Sequence, residues 1–195
     1  MPDARLIVLT GPSHSGKTSL ATALAETLAP PTALIAVDDI VATLRLVSPE
    51  HWAEHWRIGL PIAYDVAEAT VEVLLRRGVT VLLESTFTFI PVDDSPMECH
   101  ADRFDRIIDV AQRLDLSVDV VRLMAAPDQL LRRRAGTGRL TDAVIEGTWT
   151  LHSACEPRSG EAALIEIDTT TRDVASVAQS VGALLSAGGA QPLTR

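Results

Sequence analysis

The sequence predicts an α/β protein: one parallel sheet of five strands with helices on both of its faces. Two observations predict it. Short apolar runs alternate with amphipathic helical segments along the chain, the pattern of a parallel sheet whose strands are buried on both sides. The first run, Leu6 to Leu9, leads through a glycine-containing loop straight into a helical pattern, a strand–loop–helix unit of the kind such sheets are built from. A length of 195 residues suits one compact domain, expected over 1–187. The stretch 188–195, opening on Gly188-Gly189, is expected to be a flexible tail.

The elements follow in order. Leu20, Ala21, Leu24, Ala25 and Leu28 recur at helical spacing, and Pro30-Pro31 ends that helix. Ala33 to Val37 is the second strand. Asp65 to Arg77 reads as a helix with Val66, Ala69, Val73 and Leu74 inward, closed by Gly78. Val79 to Leu83 is the third strand. Asp102 to Asp115 is an amphipathic helix with Phe104, Ile107, Ile108, Ala111 and Leu114 on one side, and Val118 to Met124 is the fourth strand. Pro127 is placed to open a short helix reaching Arg134, and Thr141 to cap the next, Asp142 to Ser153. Ala163 to Ile167 is the fifth strand, and Val174 to Leu185 carries the last helical pattern.

Composition narrows the function classes. With 47% hydrophobic and 22% charged residues, 11 Gly and 11 Pro, the chain is neither disordered nor of low complexity. No run approaches the roughly 20 apolar residues of a membrane span, so no membrane partner is expected. The N-terminus shows no basic segment and no long apolar region, which reads as no secretory signal and a cytoplasmic location. Cys99 and Cys155 lack a metal-ligand pattern and read as idle thiols. A net charge of -9 repels nucleic-acid backbone, so no nucleic-acid partner is expected. Lys17 is the one lysine among 17 basic side chains, which marks a slot that an arginine does not fill.

That slot lies in Gly11-Pro12-Ser13-His14-Ser15-Gly16-Lys17-Thr18, a full match to G-x-x-x-x-G-K-[ST]. Unpaired N–H groups and the dipole at a helix N-terminus favour phosphate. The expected nucleotide contacts are Gly11, Ser13, His14, Ser15, Gly16, Lys17, Thr18 and Ser19. Lys17 faces the β and γ phosphates, and Thr18 ligates Mg²⁺. The ligand is a nucleoside triphosphate, ATP, with Mg²⁺.

Ligands of open parallel sheets bind beyond the carboxyl ends of the strands, so polar residues there come first. Asp38 and Asp39 follow the second strand, Glu84-Ser85-Thr86 the third, and Asp168-Thr169-Thr170-Thr171 the fifth. Asp38 reads as the general base, and Glu84 as the acid near Mg²⁺. Asp38 and Asp39 fit a helix N-cap before Ile40-Val41 about equally well, so one of the pair is structural on that reading. Ser85 and Thr86 are candidate substrate contacts, although loop hydroxyls often serve local backbone instead. Arg132-Arg133-Arg134 and Arg139 flank Ala135-Gly136-Thr137-Gly138, suiting a lid over about 134–142 that closes on transferring phosphates. Arg133 and Arg139 are favoured for that contact, with Arg134 in reserve; a solvated cationic helix end is the other reading. Residues 45–63 hold His51, Trp52, His55 and Trp56. They read either as a flap in which Trp52 and Trp56 cover substrate or as a small satellite core; zinc at the two histidines lacks further ligands. Asp93-Asp94 with Glu98 reads as a solvated acidic loop.

Taken together, Gly11 to Thr18, Val37-Asp38, Leu82-Leu83-Glu84-Ser85-Thr86, Arg132 to Arg139 and Ile167-Asp168-Thr169-Thr170 resemble the small P-loop kinases of the adenylate-kinase-like group. Within it the chain looks like chloramphenicol phosphotransferases, with zeta-toxin-type sugar-nucleotide kinases next, and the likeness runs over about 5–185. The resemblance implies a five-stranded parallel sheet in the order 2-3-1-4-5, ATP with Mg²⁺, Asp38 as the base that deprotonates an acceptor hydroxyl, and Arg133 and Arg139 over adenine and phosphates. Two regions depart from the pattern. Residues 45–61 do not align, and Glu84 stands where the chloramphenicol enzymes more usually carry Asp. The resulting expectation is a kinase that transfers the γ-phosphate to a hydroxyl of a small molecule, an antibiotic or a nucleoside-like metabolite. Its oligomeric state is open. A polynucleotide 5′-hydroxyl kinase and a nucleotide-dependent switch are the alternatives.

Overall fold

The computed structural model describes residues 4–29, 31–44, 52–89, 98–135, 141–154 and 162–187. Seven strands and seven helices are described: β1 (Leu6–Thr10), α1 (Lys17–Thr27), β2 (Thr32–Ala36), α2 (Val37–Leu44), α3 (Trp52–Arg76), β3 (Thr80–Glu84), β4 (Thr88–Phe89), β5 (Glu98–Cys99), α4 (Ala101–Arg113), β6 (Val118–Met124), α5 (Pro127–Arg134), α6 (Asp142–Ala154), β7 (Ala163–Asp168) and α7 (Val174–Ser186). Five of the strands form one parallel sheet in the order β2-β3-β1-β6-β7. Numbered within that sheet, this is the expected 2-3-1-4-5.

Every residue of β1 is buried, because its period-two side chains feed two cores. Leu6 and Val8 enter the layer under α2, α3 and α4 with Val37, Tyr64, Val71 and Ile108. Ile7 and Leu9 enter the opposite layer with Leu20 and Leu24 of α1 and Val181 and Leu185 of α7. The chain runs from β1 to β2 on one side and later returns to β6 on the other. The crevice beyond the carboxyl end of β1 is therefore the switch point where such sheets take ligands.

Several local expectations match. Pro127 occupies the first turn of α5, the Val144 amide donates to Thr141 Oγ1 at 3.4 Å, and Gly78 ends α3 at φ 76°.

Four points differ. First, α3 starts at Trp52, not Asp65, and contains Pro61; the burial of Leu60, Ala63 and Tyr64 keeps the chain helical across it. Second, the inward stripe of α3 is Ala63, Tyr64, Ala67, Val71 and Leu75, while Val66 and Val73 are exposed, as is Ala69; only Leu74 of the expected face packs on the core. Asp65 and Glu68 pair with Arg103 and Arg106 of α4, while burial of Leu60, Tyr64, Val71 and Leu75 sets the rotation of the helix. Third, α2 follows β2 without a connecting loop. Fourth, β4 and β5 add a short antiparallel pair outside the main sheet. Among the described residues no helix is long and apolar enough to cross a membrane.

Candidate active site

The loop after β1 is shaped by backbone constraints. Gly11 has φ 141°, and a Cβ there would lie 2.2 Å from the Leu123 carbonyl oxygen of β6, so no side chain fits. Gly16 caps α1 in the left-handed region at φ 101°. His14 occupies that region too, at φ 64°, a conformation histidine tolerates better than most residues. The loop is tied across by the Ser15 amide donating to the Pro12 carbonyl at 3.2 Å.

Lys17 is buried, and its Nζ donates to the carbonyls of Gly11 and Pro12, both at 3.1 Å. Burial pushes the ammonium below its ordinary pKa, while Glu84 and Asp38 push it back up. The carboxyl of Glu84, at the end of β3, is raised by burial and lowered by Lys17 and Thr18. Thr18 Oγ1 donates to Glu84 Oε1 at 2.8 Å. The other oxygen, Oε2, is buried with no hydrogen-bond partner. A hydroxyl beside a carboxylate with a spare oxygen is the partial donor set that Mg²⁺ uses when phosphate and water complete its shell. The residues present fit that ion. Among the described residues no group of three or more His, Cys, Asp or Glu forms a metal site.

Asp38 and Asp39 both lie in the first turn of α2, inside the helix rather than at an N-cap. Both keep exposed surface. The protein around Asp38 nevertheless raises its carboxyl pKa by desolvation, against the pull of Lys17 and with a push from Asp39. Asp38 thus lies close enough to Lys17 to feel its charge.

The remaining expected residues divide. Ser85 is buried and engaged locally: its Oγ is 2.9 Å from the Tyr64 hydroxyl and accepts the Phe87 amide at 3.2 Å. Thr86 is half-buried, Ser13 is half-buried at the loop, and Ser19 is exposed on α1. Arg133 reaches the loop from the last turn of α5. Its Nη1 lies 3.4 Å from the carbonyl oxygens of His14 and Ser15 and 3.2 Å from Thr169 Oγ1, and its Nη2 donates to the Thr169 carbonyl. In this conformation it clamps the backbone of the loop. Arg134 pairs with Asp142 and Arg132 with Asp128. Arg139, His51, Asp93, Asp94 and the tail from 188 lie outside the described residues, as do the side chains of Trp52, His55 and Trp56, whose backbone forms the first turns of α3.

Two residues enter that carried no assigned role. Thr169, directly after β7, is buried. Its Oγ1 lies 3.0 Å from the Ser15 carbonyl oxygen and 3.1 Å from that of Met124, tying the loop to the sheet. His152, on α6, is buried. Its pKa is pushed down to about 3, by burial first and then by Lys17 and Arg122, against a hydrogen bond to the Thr86 backbone. Its place was legible as a polar residue continuing the stripe of Ile145, Thr148 and Trp149 on α6.

A domain family, AAA_33, an AAA domain, matches residues 6–149, from β1 through most of α6. The chain belongs to the AAA_33 family. No curated protein matches its sequence. Solved structures share the fold of this AAA_33 chain along almost its whole length. A protein of Chloroflexus aurantiacus j-10-fl, described only as a candidate kinase, is 26% identical with a TM-score of 0.67 over 96% of this chain and 99% of the other. The tunicamycin resistance protein of Deinococcus radiodurans is 19% identical, TM-score 0.63, over 97% and 99%. The APS kinase of Mycobacterium tuberculosis, solved with AMPPNP and APS, is 19% identical, TM-score 0.60, over 95% and 99%. The AAA_33 chain therefore has the fold of the P-loop kinases, with the nucleotide-binding loop at its switch point.

Proposed function

We propose that this protein is an ATP-dependent phosphotransferase that moves the γ-phosphate of ATP to a hydroxyl of a small molecule, with Asp38 as general base. The observation that carries the reading is the convergence on Lys17 of two carboxyls, Asp38 beside the end of β2 and Glu84 at the end of the neighbouring β3. A nucleotide-binding loop needs Lys17 and one acid near the metal. The second acid gives it something to do with a substrate hydroxyl.

In the step, the acceptor oxygen attacks the γ-phosphorus as the bond to the β-phosphate oxygen breaks. The hydroxyl proton passes to Asp38, and ADP leaves. Burial raises the Asp38 carboxyl, which strengthens it as a proton acceptor once ionised. Lys17 exchanges its bonds to the Gly11 and Pro12 carbonyls for phosphate oxygens. Thr18 and Glu84 would hold Mg²⁺, which neutralises phosphate charge when bound. Arg133 fixes the loop in shape, and Arg139 closes over the phosphates from the lid segment 134–142. Positioning and charge do most of the work, as phosphoryl transfer asks for little covalent help.

The Deinococcus neighbour, a tunicamycin resistance protein, supports an antibiotic or nucleoside-like acceptor of the kind that chloramphenicol phosphotransferases represent. The net charge of -9 favours a small molecule over a polynucleotide. The reading takes residues 1–187 as one kinase domain acting in the cytoplasm. The test is a transfer assay with ATP labelled at the γ-phosphate against a panel of hydroxylated antibiotics, nucleosides and sugars. Label appearing on an alcohol supports the reading. Label released only to water, or no turnover with any alcohol, sinks it.

A further inference from the structure

A phosphate loop works through its N–H groups, which leaves the carbonyls of the same peptide units for the protein to use. Here two of those carbonyls, of His14 and Ser15, are met by side chains from far along the chain. Arg133 of α5 lies 3.4 Å from both, and Thr169, which follows β7, lies 3.0 Å from the Ser15 carbonyl.

Counting protons orders these contacts. Thr169 Oγ1 has one proton and two acceptors in reach, the Ser15 carbonyl at 3.0 Å and the Met124 carbonyl at 3.1 Å. The Met124 carbonyl already accepts the Thr169 amide at 2.7 Å, so the hydroxyl proton serves Ser15. The lone pairs of Oγ1 are then left for Arg133 Nη1, which donates at 3.2 Å. The other arm of the guanidinium, Nη2, donates to the Thr169 carbonyl, so one residue holds the whole fork. The product is a chain of bonds, from Arg133 N–H through Thr169 O–H to the Ser15 carbonyl. Thr169 is buried, and hydrogen bonds in such a sheltered chain strengthen one another.

The chain ends on a useful group. The Ser15 carbonyl shares its peptide unit with the Gly16 N–H, and drawing electrons toward that oxygen makes the N–H a stronger donor. Gly16 caps α1, among the amides that a helix N-terminus offers to anions. It keeps exposed surface, and an added Cβ there would meet no atom within 4 Å, so the loop is open at this point. The neighbouring peptide, His14–Ser15, also has Arg133 at its carbonyl, but its amide is given to Pro12. A full positive charge behind the loop thus reaches the ligand through one peptide unit.

We infer that Arg133 and Thr169 are positioning residues of the nucleotide site, acting from behind the loop through the Ser15–Gly16 peptide to strengthen its hold on the α and β phosphates. The inference rests on nucleotide binding at this loop and deepens the reading above; it does not depend on which molecule accepts the phosphate. It has a distinctive consequence. A guanidinium placed over the γ-phosphate discriminates ATP from ADP. One that acts through the loop, whose amides cradle the α and β phosphates, favours both nucleotides alike.

The test is calorimetric titration of the full chain with ADP and with AMPPNP, each with Mg²⁺, beside ¹⁵N–¹H spectra of the free protein. Thr169→Val keeps the shape and removes the hydroxyl. It should weaken both nucleotides by one common factor, about three- to tenfold. Arg133→Met keeps the stem and removes the fork, and should weaken both by about tenfold or more, again equally. Thr169→Ser returns the hydroxyl and should bring both affinities back to within about twofold of the parent. In the free protein the Gly16 amide nitrogen should move upfield in Thr169→Val and return in Thr169→Ser. The Ser13 amide, whose peptide carbonyl bonds Lys17 and the Ser15 amide instead, should stay in place. AMPPNP weakened several times more than ADP in Arg133→Met puts the guanidinium on the γ-phosphate and overturns the inference. So does unchanged affinity in either variant, a Gly16 resonance that Thr169→Val does not move, or a loss that Thr169→Ser does not recover. A wild type that binds neither nucleotide overturns this inference and the phosphotransferase together. Equal weakening in a protein that binds both nucleotides yet phosphorylates no alcohol supports the inference and removes the phosphotransferase.

Discussion

At the scale of single residues, the site consists of groups that burial makes costly. Lys17 is lowered, and Asp38 and Glu84 are raised, each by desolvation first; each is partly rescued by an opposite charge among the other two. Such groups persist where a ligand repays the cost. Lys17→Ala is therefore expected to weaken ATP binding by tenfold or more, roughly the loss of one charged contact, as read by calorimetric titration. Asp38→Asn is expected to lower turnover by roughly 10²–10⁴ while ATP affinity stays nearly constant, because the base touches the acceptor and not the nucleotide. Single-turnover kinetics with the identified acceptor check it, and unchanged turnover removes Asp38 as base. Gly11→Ala places a methyl 2.2 Å from the Leu123 carbonyl oxygen at φ 141°. A loss of about 3–5 kcal/mol is expected, measured by urea unfolding; full stability in that variant contradicts the loop geometry.

At the scale of elements, α5 and the residue that follows β7 brace the phosphate loop. Arg133 reaches the carbonyls of His14, Ser15 and Thr169, and Thr169 bonds the loop to the end of β6. The neighbouring Arg132 is exposed and pairs with Asp128 one turn back, a surface pair worth little. Arg133→Ala should thus weaken nucleotide binding and lower Tm together, whereas Arg132→Ala should stay within about 0.5 kcal/mol of the parent. Equal effects in the two variants, by thermal shift with and without ATP, argue against the brace. Periodicity found α1 and α4 because each carries one apolar stripe, and Pro127 marked the start of α5. In α3 it failed on orientation: Val66, Ala69 and Val73 recur at helical spacing, but Leu60, Ala63, Tyr64, Ala67, Val71 and Leu75 form the larger stripe. That larger stripe enters the core and leaves Val66 and Val73 exposed.

At the scale of the whole molecule, burial at the site links stability to pH. A free histidine has a pKa of 6.5, and His152 in the fold is pushed down to about 3. Between those values the unfolded chain binds a proton that the folded chain refuses, so this contribution is complete above 6.5 and is lost as pH falls toward 3. Asp38 and Glu84 are shifted upward and act the opposite way, destabilising the fold more as pH rises through their raised values. The limb due to His152 is isolated by difference. The stability gap between wild type and His152→Asn should shift against the wild type by about 1.4 kcal/mol per pH unit as urea unfolding is moved from pH 6.5 to 4.5. A gap independent of pH over that range means that the imidazole is not held neutral.

The sequence by itself determined the five-stranded parallel sheet, its strand positions to within a residue, and the nucleotide loop with Lys17, since these depend on local period, backbone freedom and residue type. The family resemblance, which implies the order 2-3-1-4-5, also put Asp38 and Glu84 at neighbouring strand ends. Which hydroxyls serve the scaffold was decided by tertiary structure. Ser85 turns to Tyr64 and Thr169 to the phosphate loop, partners 21 and 154 residues away. The same holds for His152. On α6 it is one polar residue on an apolar stripe, and only the tertiary fold buries its ring and brings it within the field of Lys17 and Arg122. Hydrogen bonds and desolvation act over a few ångströms of space, and no local pattern in the chain encodes which distant backbone will supply them.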